Sequence, residues 1–116
     1  MRCFLEDTDI RVRVKAIHAL YKYDPDRAID EIKAMTMSSD KYTRLYAVDI
    51  IRQIADSRVI KLLMDMDIDP ESEVQRAVFR SLNEILNTET RAKLSETDSE
   101  RIQVILEHAA KSWVIH

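Results

Sequence analysis

The side chains able to do chemistry are few, and their spacing does not assemble a reaction centre. The three histidines are His18, His108 and His116, and the last two stand eight residues apart. A helical metal site needs ligands one turn apart on one face. Glu107 and His108 are adjacent and so point to different faces. Glycine is absent, which removes the loop that cradles phosphates. No serine, histidine and carboxylate fall into a nucleophilic arrangement. The single cysteine, Cys3, has no partner for an internal disulfide and no histidine nearby in sequence to activate it. The expectation is a protein that is not an enzyme and carries no metal and no cofactor.

Composition narrows the class. The chain has 116 residues, 46% of them hydrophobic and 34% charged, which suits one folded, well-solvated domain. With no glycine and two prolines, helices joined by tight polar turns are expected, because β-hairpins usually need glycine. The net charge of −3 gives no electrostatic reason to expect nucleic acid. No apolar run approaches the roughly 20 residues that span a bilayer. The apolar stretch Cys3-Phe4-Leu5 is too short for a signal peptide, and a lone cysteine fits a reducing compartment. A cytoplasmic location is expected.

Three segments share one period. Val12 to Leu20, Thr43 to Ile51 and Val74 to Leu82 begin 31 residues apart. In each, apolar positions recur on one helical face: Val12, Ala16, Ile17 and Leu20, then Thr43, Ala47, Val48 and Ile51, then Val74, Val78, Phe79 and Leu82. A fixed period of this length marks units that bury their apolar faces on one another. Asp7, Ser38 and Asp69 precede these helices in register as capping residues, and Pro70 suits a first helical position.

A second helix in each unit starts at Asp24-Pro25 and near Asp56-Ser57. Its stripe of Ile29, Ile32 and Met35 maps onto Ile60, Leu63 and Met66. In the third unit Arg91 takes the isoleucine's place beside Leu94, which predicts a short, shifted or frayed second helix. A last helix is expected after the capping box Thr97-Asp98-Ser99-Glu100, with Ile102, Ile105, Leu106, Ala109 and Trp113 on its apolar face. The units therefore run roughly 7–37, 38–68 and 69–97, with a terminal helix over 98–115. The expected fold is all-α: an α-solenoid of about 3.5 antiparallel helix pairs in a right-handed superhelix. Phe4 aligns with Met35 and Met66, and Trp113 with Leu82. Both ends thus read as incomplete units, the mark of a piece of a longer solenoid or of a chain that self-associates through open ends.

The segments from Asp7 to Leu20 and from Asp69 through the following helix resemble HEAT-like repeats, including the short ones of phycobilisome lyase-type proteins. The resemblance covers nearly the whole chain. It implies two antiparallel helices per unit and a scaffold that binds proteins. It also implies a ladder in which an acid before a first helix pairs with an arginine inside one. Asp7 with Arg13 matches that pattern. Ser38 replaces the acid in unit two and Gln75 the arginine in unit three, leaving Asp69 to serve Arg44 and Asp40 to serve Arg13. Relatives with lyase, hydroxylase or glycosylase activity make a chromophore-handling lyase subunit, or a DNA-binding glycosylase-like protein, the alternatives to a scaffold.

The expected partner is a protein or peptide, held on the concave face formed by second helices. Arg27, Asp30, Arg58, Lys61 and Asp65 lie opposite the apolar stripes there, with Arg27 and Arg58 one unit apart and suited to gripping carboxylates. Tyr42 and Tyr46 project from a first helix as a second candidate contact, since aromatic residues are enriched at interfaces. The basic stripe Arg11, Lys15, His18 and Lys22 does not continue into later units, as a phosphate track would require. No nucleic-acid and no membrane partner is expected.

Overall fold

The computed structural model describes residues 9–114, the side chains of residues 10, 90 and 112–114 excepted. Among them are helices and turns and no strand. The helices are α1 (Ile10–Tyr23), α2 (Pro25–Thr36), α3 (Lys41–Ile54), α4 (Ser57–Asp65), α5 (Ser72–Leu86) and α6 (Glu96–Val114). Short 3₁₀ segments cover Met66–Ile68 and Glu89–Lys93. Phe4, Cys3, Asp7 and His116 lie outside the described residues, as does the side chain of Trp113.

The helix starts keep the 31-residue period but sit two residues later than the sequence predicts. Asp9, Asp40 and Glu71 occupy the N-cap positions of α1, α3 and α5. The Asp9 carboxylate accepts from the Arg11 amide and that of Asp40 from the Thr43 amide. Ser38 and Asp69 instead close the turn before the helix: Ser38 Oγ accepts from the Asp40 amide at 3.1 Å and Asp69 Oδ1 from the Glu71 amide at 2.9 Å. These short polar side chains bond two residues ahead, a habit that competes with helix capping. Pro70 correspondingly lies before α5, not at its first position.

Asp24 and Asp56 cap α2 and α4 as the sequence predicts, each accepting an amide of its helix's first turn. The two links differ by one residue. Asp24 alone separates α1 from α2, whereas Ala55 and Asp56 separate α3 from α4. The extra residue is accommodated by placing Ala55 in the left-handed region, at φ 55° and ψ 31°, where its N–H reaches the Ile51 carbonyl. Glycine normally takes this C-terminal position because it has no Cβ to clash. The terminal helix starts earlier than its predicted capping box: Ser95 Oγ, not Thr97, accepts a first-turn amide, that of Asp98.

Packing follows the stripes. α1 packs on α3, α3 on α5 and α5 on α6, forming one row, while α2 packs on α4 in a second row. α1–α2 and α3–α4 contacts join the rows. The Cα extents of 51 × 31 × 17 Å match this arrangement, since two packed helices are roughly 20 Å across. Ile17, Ala47, Val48, Ile51, Val74, Val78 and Leu82 are buried from the first row. Ile32, Met35, Ile60, Leu63 and Met66 are buried from the second. Ile29 is half-buried, as are Val12, Ala16 and Leu20 on α1. Ile50, Val59, Met64 and Ile85 are buried outside the predicted stripes. α3 explains the first of these, because α1, α2, α4 and α5 all pack on it and bury more than one face.

The third unit departs from a helix pair. Its second segment is the 3₁₀ turn Glu89–Lys93, in which Arg91 is exposed; Leu94, just after the turn, is the one apolar side chain here that packs on the core among the described residues. One apolar side chain buries too little surface to hold an α-helix in place.

Candidate interaction surfaces

The junction of the second and third units is held by a buried ion pair. The Arg44 guanidinium donates through Nε to Asp69 Oδ2 at 2.7 Å and through Nη2 to Oδ1 at 3.2 Å. Its Nη1 donates to the Ser38 carbonyl at 2.8 Å. One unit on, Gln75 Nε2 donates to the Asp69 carbonyl, the same bond between equivalent positions. The period seen in the apolar residues therefore recurs in polar contacts. Glutamine keeps the backbone bond of the arginine it replaces and gives up the ion pair.

The first unit differs. The position equivalent to Asp69 is Ser38, and Arg13 Nε is buried without a hydrogen-bond partner among the described residues. Asp40 does not take the expected role: its carboxylate accepts from the Thr43 amide and hydroxyl, and those bonds, the hydroxyl's first, hold its pKa below the ordinary carboxylate value. Asp7 lies outside the described residues.

On the second-helix row, Arg27, Asp30, Arg58, Lys61 and Asp65 are all exposed. Two of them are occupied. Arg58 Nη1 donates to Asp26 at 2.7 Å, across the unit boundary, and Nη2 donates to Asp56 at 3.1 Å. Asp65 accepts from Arg101 of α6 at 2.9 Å. The Asp56 carboxylate also takes the Tyr21 hydroxyl at 2.7 Å, so its pKa falls to about 2, the Arg58 side chain contributing most. The same contact raises the Tyr21 phenol. Arg58 is thus a bracket between neighbouring helices, a role the sequence reading did not assign. Asp26, one residue after Pro25 and one unit before Ser57, is the partner it overlooked. Arg27, Asp30 and Lys61 remain as exposed charges whose side chains hold no ion pair among the described residues.

The two tyrosines separate. Tyr42 is exposed, with Lys41 Nζ 5.3 Å from its ring centre and the same ammonium 3.0 Å from Glu73 of α5. Tyr46 is half-buried against the core and lines a groove between α1 and α3. In the basic stripe of α1, Arg11, Lys15 and Lys22 are exposed, but His18 turns inward and its Nε2 is buried without a hydrogen-bond partner.

Along the first-helix row the grooves themselves recur. One of about 390 Å³ between α1 and α3 includes Val14, Tyr46 and Asp49. Another of about 390 Å³ between α3 and α5 includes their counterparts Leu45, Ala77 and Arg80. A third, of about 580 Å³, lies between α5 and α6 and includes Arg76, Phe79, Arg80 and Asn83.

Among the described residues, no group of three histidine, cysteine or acidic side chains is placed to hold a metal ion. No described helix is long and apolar enough to cross a membrane. Comparison with family models, with curated proteins and with solved structures returned no match.

Proposed function

We propose that this chain is a non-catalytic scaffold: a HEAT-like α-solenoid that binds a protein or peptide on its second-helix row. The observation that supports the reading most is recurrence beyond hydrophobicity. Helix caps at 9, 40 and 71, the turn bonds at 38 and 69, and the arm bonds of Arg44 and Gln75 all keep one 31-residue step. Repetition of this kind builds an extended surface of similar rows, which suits binding a long partner better than enclosing a small substrate. The right-handed superhelix of about 3.5 units, and a cytoplasmic setting, belong to the same proposal.

Exposed charges within the second-helix row narrow the contact to Arg27, Asp30 and Lys61, because Arg58 and Asp65 are held by Asp26, Asp56 and Arg101. Replacing Arg27 and Lys61 together with glutamate is expected to weaken partner binding in calorimetry, with helicity and melting temperature unchanged. Equal binding by the variant places the contact elsewhere. A bilin-dependent absorbance change would favour the chromophore-handling alternative, and a salt-sensitive shift of duplex DNA the nucleic-acid one.

A further inference from the structure

The α5–α6 groove differs from its counterpart between α3 and α5 in charge pairing. In the α3–α5 groove, whose far wall also carries Arg80, Arg52 pairs with Asp49 on its own helix and with Glu84 across the groove. At the equivalent wall of the α5–α6 groove, Leu45, Asp49 and Arg52 give way to Arg76, Arg80 and Asn83. Arg76 and Arg80 are exposed, one turn apart, and neither has an ion pair among the described residues. The floor is apolar, formed by Phe79, Leu106, Ala109 and Ala110. Past Phe79 and Ala109 it continues into a second depression of about 360 Å³, where Ile68 and Val104 are 83% and 64% exposed.

We propose that the α5–α6 groove docks one amphipathic helix of a partner protein, its apolar stripe on Leu106 and Ala110 and its bordering carboxylates on Arg76 and Arg80. A helix is the form that fits. The groove walls are helices whose backbone groups bond within themselves, so a bound segment finds no sheet edge and must satisfy its own backbone. Ridges of a third helix enter a groove between two others by the same packing that joins α5 to α6. Charge sets the chemistry of its borders. Two guanidinium groups one turn apart face carboxylates spaced four residues apart on the incoming helix, each able to bond in two-pronged fashion. Glu107, on the opposite wall, favours a basic residue on the far border. The proposal rests on the chain's being a protein-interaction module but not on its second-helix row, so the two assignments fail separately.

The test uses a fluorescein-labelled, side-chain-stapled helix of about five turns. Leucine and alanine form one face, two glutamates one turn apart form its border, and glutamine fills the rest. Fluorescence anisotropy should show saturable binding to the whole chain, weakened roughly tenfold or more by Arg76→Glu with Arg80→Glu. The peptide with both glutamates changed to lysine should reverse that order and prefer the variant. Arg76→Gln with Arg80→Gln, which disturbs the exposed surface least, should fall between. The Arg27→Glu, Lys61→Glu variant should bind the probe as the unaltered chain does. No binding, the same ranking for both peptides, or loss of binding only in the Arg27 and Lys61 variant would overturn the proposal. So would a concentration-dependent dimer in sedimentation velocity that the Arg76 and Arg80 changes abolish, since that gives the groove to a second copy of the chain.

Discussion

Arg44 on α3 and Asp69, ahead of α5, form a two-pronged ion pair that is buried at the seam between successive helix pairs. Removing one partner strands a buried charge, whereas removing both does not. Arg44→Met should therefore cost about 3 kcal/mol in urea unfolding, and adding Asp69→Asn should restore about 2 kcal/mol of it. Asparagine keeps the bond to the Glu71 amide, so the comparison isolates the charge. Strictly additive losses would show that the pair does not couple the two units.

Arg13 occupies the position of Arg44 one unit earlier and faces the Ser38 register, where the acid is missing. Its Nε is buried without a hydrogen-bond partner among the described residues. Ser38→Asp keeps the turn bond to the Asp40 amide and supplies the absent carboxylate. We expect a gain of about 1 kcal/mol, seen as a rise of about 4 °C in melting temperature. The same substitution made on top of Arg13→Met should gain nothing; an equal gain in both backgrounds would assign the effect to the turn alone.

Ala55 holds the left-handed conformation that closes α3. A Cβ in that region costs roughly 1 kcal/mol, which glycine avoids. Ala55→Gly should raise the melting temperature by a few degrees even though it removes a methyl group and loosens the unfolded chain. A lower melting temperature would mean that the methyl's packing outweighs the backbone term.

Asp56 reports on the bracket formed by Arg58 and Tyr21. Its pKa is about 2 in the folded chain against an ordinary 3.8. Unfolding therefore takes up a proton as pH falls from about 4 to about 2, and the stability Asp56 contributes, on the order of 2 kcal/mol, is complete above that window and lost within it. Asp56→Asn, which can still cap α4, should unfold more easily than the unaltered chain at neutral pH and no more easily near pH 2. Tyr21→Phe should shift the acid transition toward higher pH. A constant difference between the asparagine variant and the unaltered chain across the whole range would remove the linkage.

Apolar periodicity made the helices legible because burial repeats with the helical turn: Ile17, Val48 and Phe79 share one register, and only the degree of burial varies. Helix ends were less legible. Ser38 and Asp69 look like caps, but their side chains bond two residues ahead and pass the cap to Asp40 and Glu71. Charged side chains were the hardest to place. Arg27 and Arg58 look alike in sequence, yet only Arg58 meets Asp26, a contact that depends on how α4 lies beside α2. The α5–α6 groove escaped the sequence reading, because the exchange of Leu45 and Asp49 for Arg76 and Arg80 one unit later gains meaning only once α5 and α6 pack into a groove.

Photo-crosslinking tests most directly the claim that this is a protein-binding scaffold working through its second-helix row. A benzophenone amino acid replaces Lys61, and in a separate chain Lys15 on the first-helix row; each is irradiated in an extract of the source cells, and the adducts are identified by mass spectrometry. The account predicts a discrete set of protein adducts from position 61, suppressed by Arg27→Glu, and none in common from position 15. Identical adducts from both positions, or adducts from position 61 that Arg27→Glu leaves unchanged, would contradict it.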